Sequence, residues 1–264
     1  MSTAGPAAKT FRLDGAYAAI NRLYQERGWT DGLPIVPPTD EAVRECLRWT
    51  DRDSREVVAV LPPRQGEATV ERIAINAVMA GARPEYLPVI ITAVEALADP
   101  DFNLDSVQAT THPVAPLMIV NGPIAHELEI NAGYNAFGQG FRANMTIGRA
   151  VRLLLMNVGG GLPGTGDRAT QGSPAKMAYC IAENEAENPW EPLHVEHGFP
   201  ADVSTVTTIG CEGAAQHPGS LQLHWSGHPQ DHRGGHGPSW EQQSPRGRPP
   251  APLPRARARR HHRA

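Results

Sequence analysis

The chemistry-bearing residues of this chain fall in a few short stretches between apolar runs. The most unusual is INAGYNAFGQGFRANMTIGRA (130–150), which carries Asn131, Asn135 and Asn144, the cations Arg142 and Arg149, and four glycines. Amide and guanidinium groups there offer converging donors, and a following helix would add partial positive charge at its N-terminus. That is the chemistry of a carboxylate or oxyanion pocket, with Asn135, Arg142 and Asn144 as substrate-binding residues. The competing reading is a long loop whose Asn and Gly residues supply left-handed turns.

Two further stretches offer proton-transfer groups. ATTHPVAP (109–116) sets His112 in a Thr-rich loop ahead of an apolar run, where an imidazole could act as a general base or bind an anion. An ordinary loop histidine bonded to nearby backbone fits the same pattern. The apolar run ends at Asn121-Gly122, and Asn121 joins the expected substrate contacts. KMAYCIAENEAENPWEPLHVEHGF (176–199) holds Lys176, Cys180, Glu183, Glu185, Glu191, His194, Glu196 and His197. If its first ten residues are helical, Lys176, Cys180 and Glu183 share a face, being four and three apart. The expected catalytic set is then His112, Lys176, Cys180 and Glu183, with Cys180 as a thiolate beside Lys176 or, alternatively, as plain packing. His194 and His197 with Glu191 or Glu196 match no established ligand spacing well, so no metal is expected. The Gly-rich run NVGGGLPGTGDRAT (157–170) follows a helical pattern and lacks a Gly-Lys-Ser/Thr ending. Gly159 is therefore read as a helix cap, not part of a phosphate loop.

The elements that must position these groups can be read from periodicity. Helices are expected over Asp14 to Trp29, from an Asp40 cap through Leu47, from a Thr69 cap to a left-handed stop at Gly81, and from Pro84 through Leu97. A further helix is expected from a Thr146 cap to Val158, with Arg149 and Arg152 on its polar side, and another over Lys176 to Glu185. Buried strands are expected at Val57–Leu61 and Pro116–Val120, and a β-branched strand at Val203–Ile209. Alternating strands and helices predict an α/β fold, a layered sheet with flanking helices.

Composition sets limits on what this chain does. No apolar run reaches the roughly eighteen residues of a membrane span, and MSTAGPAAKTF has no apolar signal region. The three cysteines, Cys46, Cys180 and Cys211, are too scattered for a disulfide framework. A cytoplasmic protein that binds a small-molecule substrate, and neither nucleic acid nor membrane, is expected; self-association and the cofactor stay open.

Residues 1–213 carry a net charge of −10 and residues 214–264 a net charge of +6. The last fifty-one residues have no Val, Ile, Met, Phe, Thr, Asn, Tyr or Lys, but 8 Pro, 8 Arg and 7 His. Such a stretch has too little apolar surface to offset the entropy of ordering it. A disordered tail after a truncated α/β domain is the expectation. Its composition is what GC-rich DNA yields in a shifted frame. With synonymous codons chosen freely, loss of one base after Gly213 lets the neighbouring frame read EGPHNIQDPSSSTGQAILKTIAEAMAHH, a capped amphipathic helix.

The stretches GLPIVPPT, EATVERIAINAVMAGARPEYLPV, FNLDSVQATTHPVAPLMIVNGPI, GYNAFGQGFRANMTIGRA and CIAENEAENPWEPLHVE together resemble a bacterial family of uncharacterised activity, often encoded beside UGSC-type selenoproteins. The resemblance spans most of residues 30–213, and the frame-restored EGPHNI string is similar to that family's continuation. The family pattern implies a cysteine where this chain has Ala82, and a C-terminal half that is missing or garbled here. The association implies thiol or redox chemistry, without a catalytic residue to carry over. Two expectations follow: an enzyme acting on a small anionic or thiol-bearing substrate, or a non-catalytic partner or ligand-binding subunit of a UGSC-type selenoprotein. An inactive frameshifted product is the third.

Overall fold

The computed structural model describes residues 16–213 and residues 251–252. The architecture is α/β. Helix α1 (Tyr17–Glu26) and α2 (Asp40–Leu47) lead into a two-stranded hairpin, β1 (Val57–Leu61) and β2 (Gly66–Thr69). Helices α3 (Val70–Ala80), α4 (Leu87–Ala98) and α5 (Leu104–Gln108) follow, then strand β3 (Ala115–Asn121). Beyond it come α6 (Pro123–Glu127), the long α7 (Arg142–Asn157), β4 (Cys180–Ala182), α8 (Leu193–Glu196) and β5 (Thr205–Cys211). A two-residue strand β6 (Ala251–Pro252) pairs antiparallel with the outer edge of β5, a position where proline's missing N–H does no harm. The rest of the expected disordered tail, and any shifted reading frame, lies outside the described residues.

Strand β3 is the centre of the main sheet, whose order is β4-β3-β5-β6. It runs parallel to β4 and antiparallel to β5, so both flanks of its backbone are hydrogen bonded. One sheet face, with Met118, Val120, Cys180, Ala182 and Val206, enters the main core. The other carries Leu117, Tyr179 and their half-buried neighbours Ile119 and Ile181. Helix α4 is apolar over most of its surface, with Leu87, Val89, Ile90, Ile91, Ala93, Val94 and Leu97 buried and Glu95 paired with Arg52 at its one charged position. A helix of that kind belongs inside, and α4 touches α3, α7, β1 and β5.

Local sequence explains most element ends. The Thr69 hydroxyl accepts from the Arg72 N–H, and Gly81 stops α3 in the left-handed region at φ 80°. The expected Asp40 cap falls one residue early: Thr39 accepts from Ala42 and Asp40 opens the helix. The expected Thr146 cap lies inside α7, which starts a turn earlier. There the Thr146 hydroxyl bonds back to the Arg142 carbonyl at 2.7 Å. The left-handed glycine after α7 is Gly160, at φ 79°, not Gly159. The glycine run packs on the hairpin turn, where the Arg64 N–H donates to the Gly159 carbonyl at 2.8 Å. Strand Val57–Leu61 forms as expected, but half-buried and, among the described residues, paired with β2 alone.

The largest departure is at Lys176 to Glu185, expected to be one helix. Pro174–Lys176 is a single 3-10 turn and Cys180–Ala182 is strand. The short apolar run pairs with β3, and tertiary ladder bonds outweigh the helical spacing of three polar residues. Arg149 and Arg152 lie on the polar side of α7 as expected, and that side is packed as well. The Arg149 guanidinium forms a two-point pair with Asp31, Nε to Oδ2 at 2.7 Å and an amino nitrogen to Oδ1 at 2.8 Å.

The Asp31 side chain is 2% exposed and that of Arg149 15%. Burial alone would raise the Asp31 carboxyl, but hydrogen bonding and charge from Arg149 hold it below its ordinary value. A depressed carboxyl stabilises the fold above the ordinary Asp pKa of about 3.9, and that stability goes as pH falls through the lower folded value. Asp31→Asn should cost about 3–5 kcal/mol, the range for removing one partner of a buried pair. It should also flatten the acid limb of the stability curve; urea unfolding at pH 7 and pH 3 measures both.

Candidate functional site

Parallel pairing brings the carboxyl ends of β3 and β4 to the same level, with Val120 opposite Ala182. Asn121 and Glu183 therefore leave the sheet side by side. The Asn121 amide Nδ2 donates to Glu183 Oε2 and, at 2.9 Å, to Glu185 Oε1. Glu185 Oε1 also accepts from the Gly122 N–H at 2.8 Å. Glu183 is held further by Asn188 Nδ2 at 2.7 Å and by the Leu193 N–H at 2.8 Å. One amide thus clasps two carboxylates, and backbone and side-chain donors from three segments fix them.

Around this clasp lie buried polar atoms that make no hydrogen bond among the described residues. His194 is fully buried, and neither ring nitrogen is bonded. Its Nδ1 lies 3.8 Å from Glu185 Oε1, close enough for charge attraction and too long for a hydrogen bond. Asn121 Oδ1 and Thr205 Oγ1 are also unbonded and buried. Asn121 and Thr205 are opposite each other across β3 and β5, so they lie on one sheet face. Native structures satisfy the great majority of such atoms, and each orphan costs about 1–3 kcal/mol. Several at one place, at the carboxyl ends of parallel strands where α/β proteins bind ligands, mark the candidate site.

The expected site residues end up in four separate places, one of them the core face of β4 that holds Cys180. Asn121 and Glu183 meet here. His112 and Lys176 lie at the other end of the sheet, where β3 and β4 begin. His112 Nδ1 is 2.8 Å from Glu212 Oε1 on an exposed surface, and Lys176 Nζ is 2.5 Å from Asp167 Oδ2. Asn135, Arg142 and Asn144 lie at the start of α7, and none faces the other two groups. Asn135 adopts φ 61° and donates to the Gln139 carbonyl. Arg142 donates twice to the Gly81 carbonyl, capping α3. Asn144 accepts from the Asn131 N–H at 2.8 Å and donates to the Asn131 and Ala136 carbonyls. Each of the three is occupied with the chain's own backbone, so the loop reading describes this segment better than the pocket reading.

Cys180 lies on the core face of β4, and burial pushes its thiol up to about 12. Its surroundings fit the packing alternative, and no helix face joins it to Lys176, which sits in a 3-10 turn. Ala82, where the family resemblance implies a cysteine, packs half-buried against the core just after Gly81. Glu185, His194 and Thr205 complete the cluster and were not among the expected site residues. A polar residue closing a buried strand, and the alternation of Thr205 and Thr207 with Val206, were the available signals. Among the described residues no three His, Cys, Asp or Glu side chains converge as a metal site would need. No helix there is long and apolar enough to cross a membrane. No protein family, curated protein or solved structure matches the chain.

Stability separates a site from a scaffold. Replacing His194 by Leu, which removes two unbonded nitrogens, should leave the unfolding free energy unchanged or raise it by about 1 kcal/mol. Glu183→Ala strands three donors and should lower it by about 1.5–3 kcal/mol. Denaturant titration of both variants checks the contrast; a large loss for His194→Leu would make that ring structural.

Proposed function

We propose that this chain is an enzyme acting on a small molecule with a weakly acidic X–H group, a thiol or hydroxyl, at the Asn121–Glu183–Glu185–His194 cluster. His194 takes the substrate proton. Glu185, beside Nδ1, orients the ring and stabilises the imidazolium that forms, the role a carboxylate plays behind a catalytic histidine. The free Asn121 Oδ1 and Thr205 hydroxyl position the substrate by hydrogen bonds. Glu183 acts through Asn121 and is a positioning residue. Two carboxylates disfavour a substrate that arrives already charged negative, which favours a neutral thiol. The thiolate left when the proton moves to His194 is balanced by the imidazolium formed in the same step. The observation that carries the proposal is a fully buried histidine with both nitrogens unbonded, 3.8 Å from a carboxylate.

The test is consumption of substrate, followed by proton NMR on a panel of small thiols, hydroxy acids and their esters. His194→Gln and Glu185→Gln should each slow turnover about 10²–10⁴-fold, while Arg142→Gln leaves it within a few-fold. Undiminished turnover in both cluster variants would remove the assignment.

A different observation favours the reading of a partner subunit for a UGSC-type protein. The outer sheet face leaves Ile209 42% exposed, beside half-buried Ile119 and Ile181. Ile209→Glu should then abolish co-elution with a UGSC-type protein on gel filtration and leave the thermal melt unchanged. Co-elution that survives the substitution counts against that surface.

A further inference from the structure

At the other end of the sheet the segments before β4 wall an open cleft of about 840 Å³, whose lining includes Asp167, Arg168, Thr170, Ser173 and Lys176. Its walls are tied to the loop ahead of β3. The Arg168 and Thr170 N–H groups donate to the Thr110 and Thr111 carbonyls, both at 3.1 Å. The Lys176–Asp167 pair is drawn inward, its side chains only 13% and 14% exposed. Arg152 reaches the same place from α7, its Nε donating to the Lys176 carbonyl at 2.7 Å. Burial pulls the Arg152 pKa below its ordinary value, and Asp167 is the one carboxylate that opposes this.

The charges do not balance. Two withdrawn cations, Lys176 and Arg152, share one carboxylate, and Lys176 is already bonded to it. Arg168, exposed on the cleft lining, adds a third positive charge. A cation withdrawn from water without its own counter-ion is among the more costly arrangements in a protein. Arg168 is the guanidinium on the cleft lining, and such a group suits a planar oxyanion, which it can meet with two parallel N–H bonds.

We infer that this cleft binds a small oxyanion, a carboxylate or a phosphate group, held by Lys176 and Arg168 on its lining, with Arg152 behind Lys176 adding the positive charge that Asp167 alone does not balance. The site is separate from the proton-transfer cluster. Seven residues of β3 at about 3.3 Å each put the two roughly 20 Å apart, so one small substrate does not span them. The inference therefore stands whether or not the cluster is catalytic.

The probes are inorganic phosphate and citrate, titrated into the full chain at constant ionic strength, with chloride as control and the melting temperature and titration heat as readouts. The wild-type chain should show saturable binding of one probe, and which one binds decides between a phosphate and a carboxylate ligand. Lys176→Gln leaves Asp167 and Arg152 as a balanced pair and should weaken binding about tenfold or more, the loss of one charge-assisted hydrogen bond. Arg168→Gln, a change at an exposed position, should weaken it several-fold without altering the melt. Asp167→Asn removes the competing carboxylate and should tighten binding. A merely structural cluster predicts that Lys176→Gln and Asp167→Asn both destabilise and neither changes anion affinity. That result, or no saturable binding of either probe by the wild-type chain, overturns the inference.

Discussion

Helix α7 is the piece on which the rest of the structure depends. Its apolar face packs on α3 and α4, and its polar side chains each tie down a different segment. Arg142 holds the end of α3, Asn144 closes the 131–136 loop, Arg149 fixes the Asp31–Pro34 turn, and Arg152 holds the Lys176 turn. Asn157 bonds to Asn76 of α3 and to the Trp29 carbonyl. These bonds reach residues far away in sequence, so they convert a set of irregular connections into walls with fixed positions. The sheet alone could not do this, because β4 has only three residues.

The same helix explains what could and could not be read in the sequence. Apolar spacing and capping residues made α3, α4, β3 and β5 legible, because burial and caps are local properties of a segment. The purpose of a polar residue is not local. Arg142 and Asn144 have the chemistry of anion ligands, and residue type alone does not reveal that backbone carbonyls, of Gly81 for one and of Asn131 and Ala136 for the other, already occupy them. Lys176, Cys180 and Glu183 show the same limit in another form: three-four spacing suggested a helix face, yet β3 offered ladder partners to the residues between them. Of the candidate cluster, Asn121 and Glu183 were recognised. His194 drew attention for its neighbours His197 and Glu191, and only the fold shows it buried beside Glu185.

Strand polarity gives the two ends of the sheet opposite characters. Where β3 and β4 finish, carboxylates, an amide and an imidazole gather; where they start, guanidinium and ammonium groups outnumber the carboxylate between them. The opposed charge is arranged along one short sheet, with the apolar residues of β3 separating the two ends. Each end is built from loops that the strands deliver, so changes in one set of loops leave the chemistry of the other intact.

The seven-residue pairing between β3 and β5 sets Thr205 opposite Asn121 and turns Val206 to the opposite side. Side chains alternate along a strand, so the pairing allows no half-measures. A one-residue slip of β5 against β3 would turn Val206 toward the amide and carry Thr205 to the core side. The ladder thus ties that stretch to its length, and Thr205 and Val206 to their types, while the 184–192 connection lies outside the ladder and is tied through the bonds of Glu185 and Asn188.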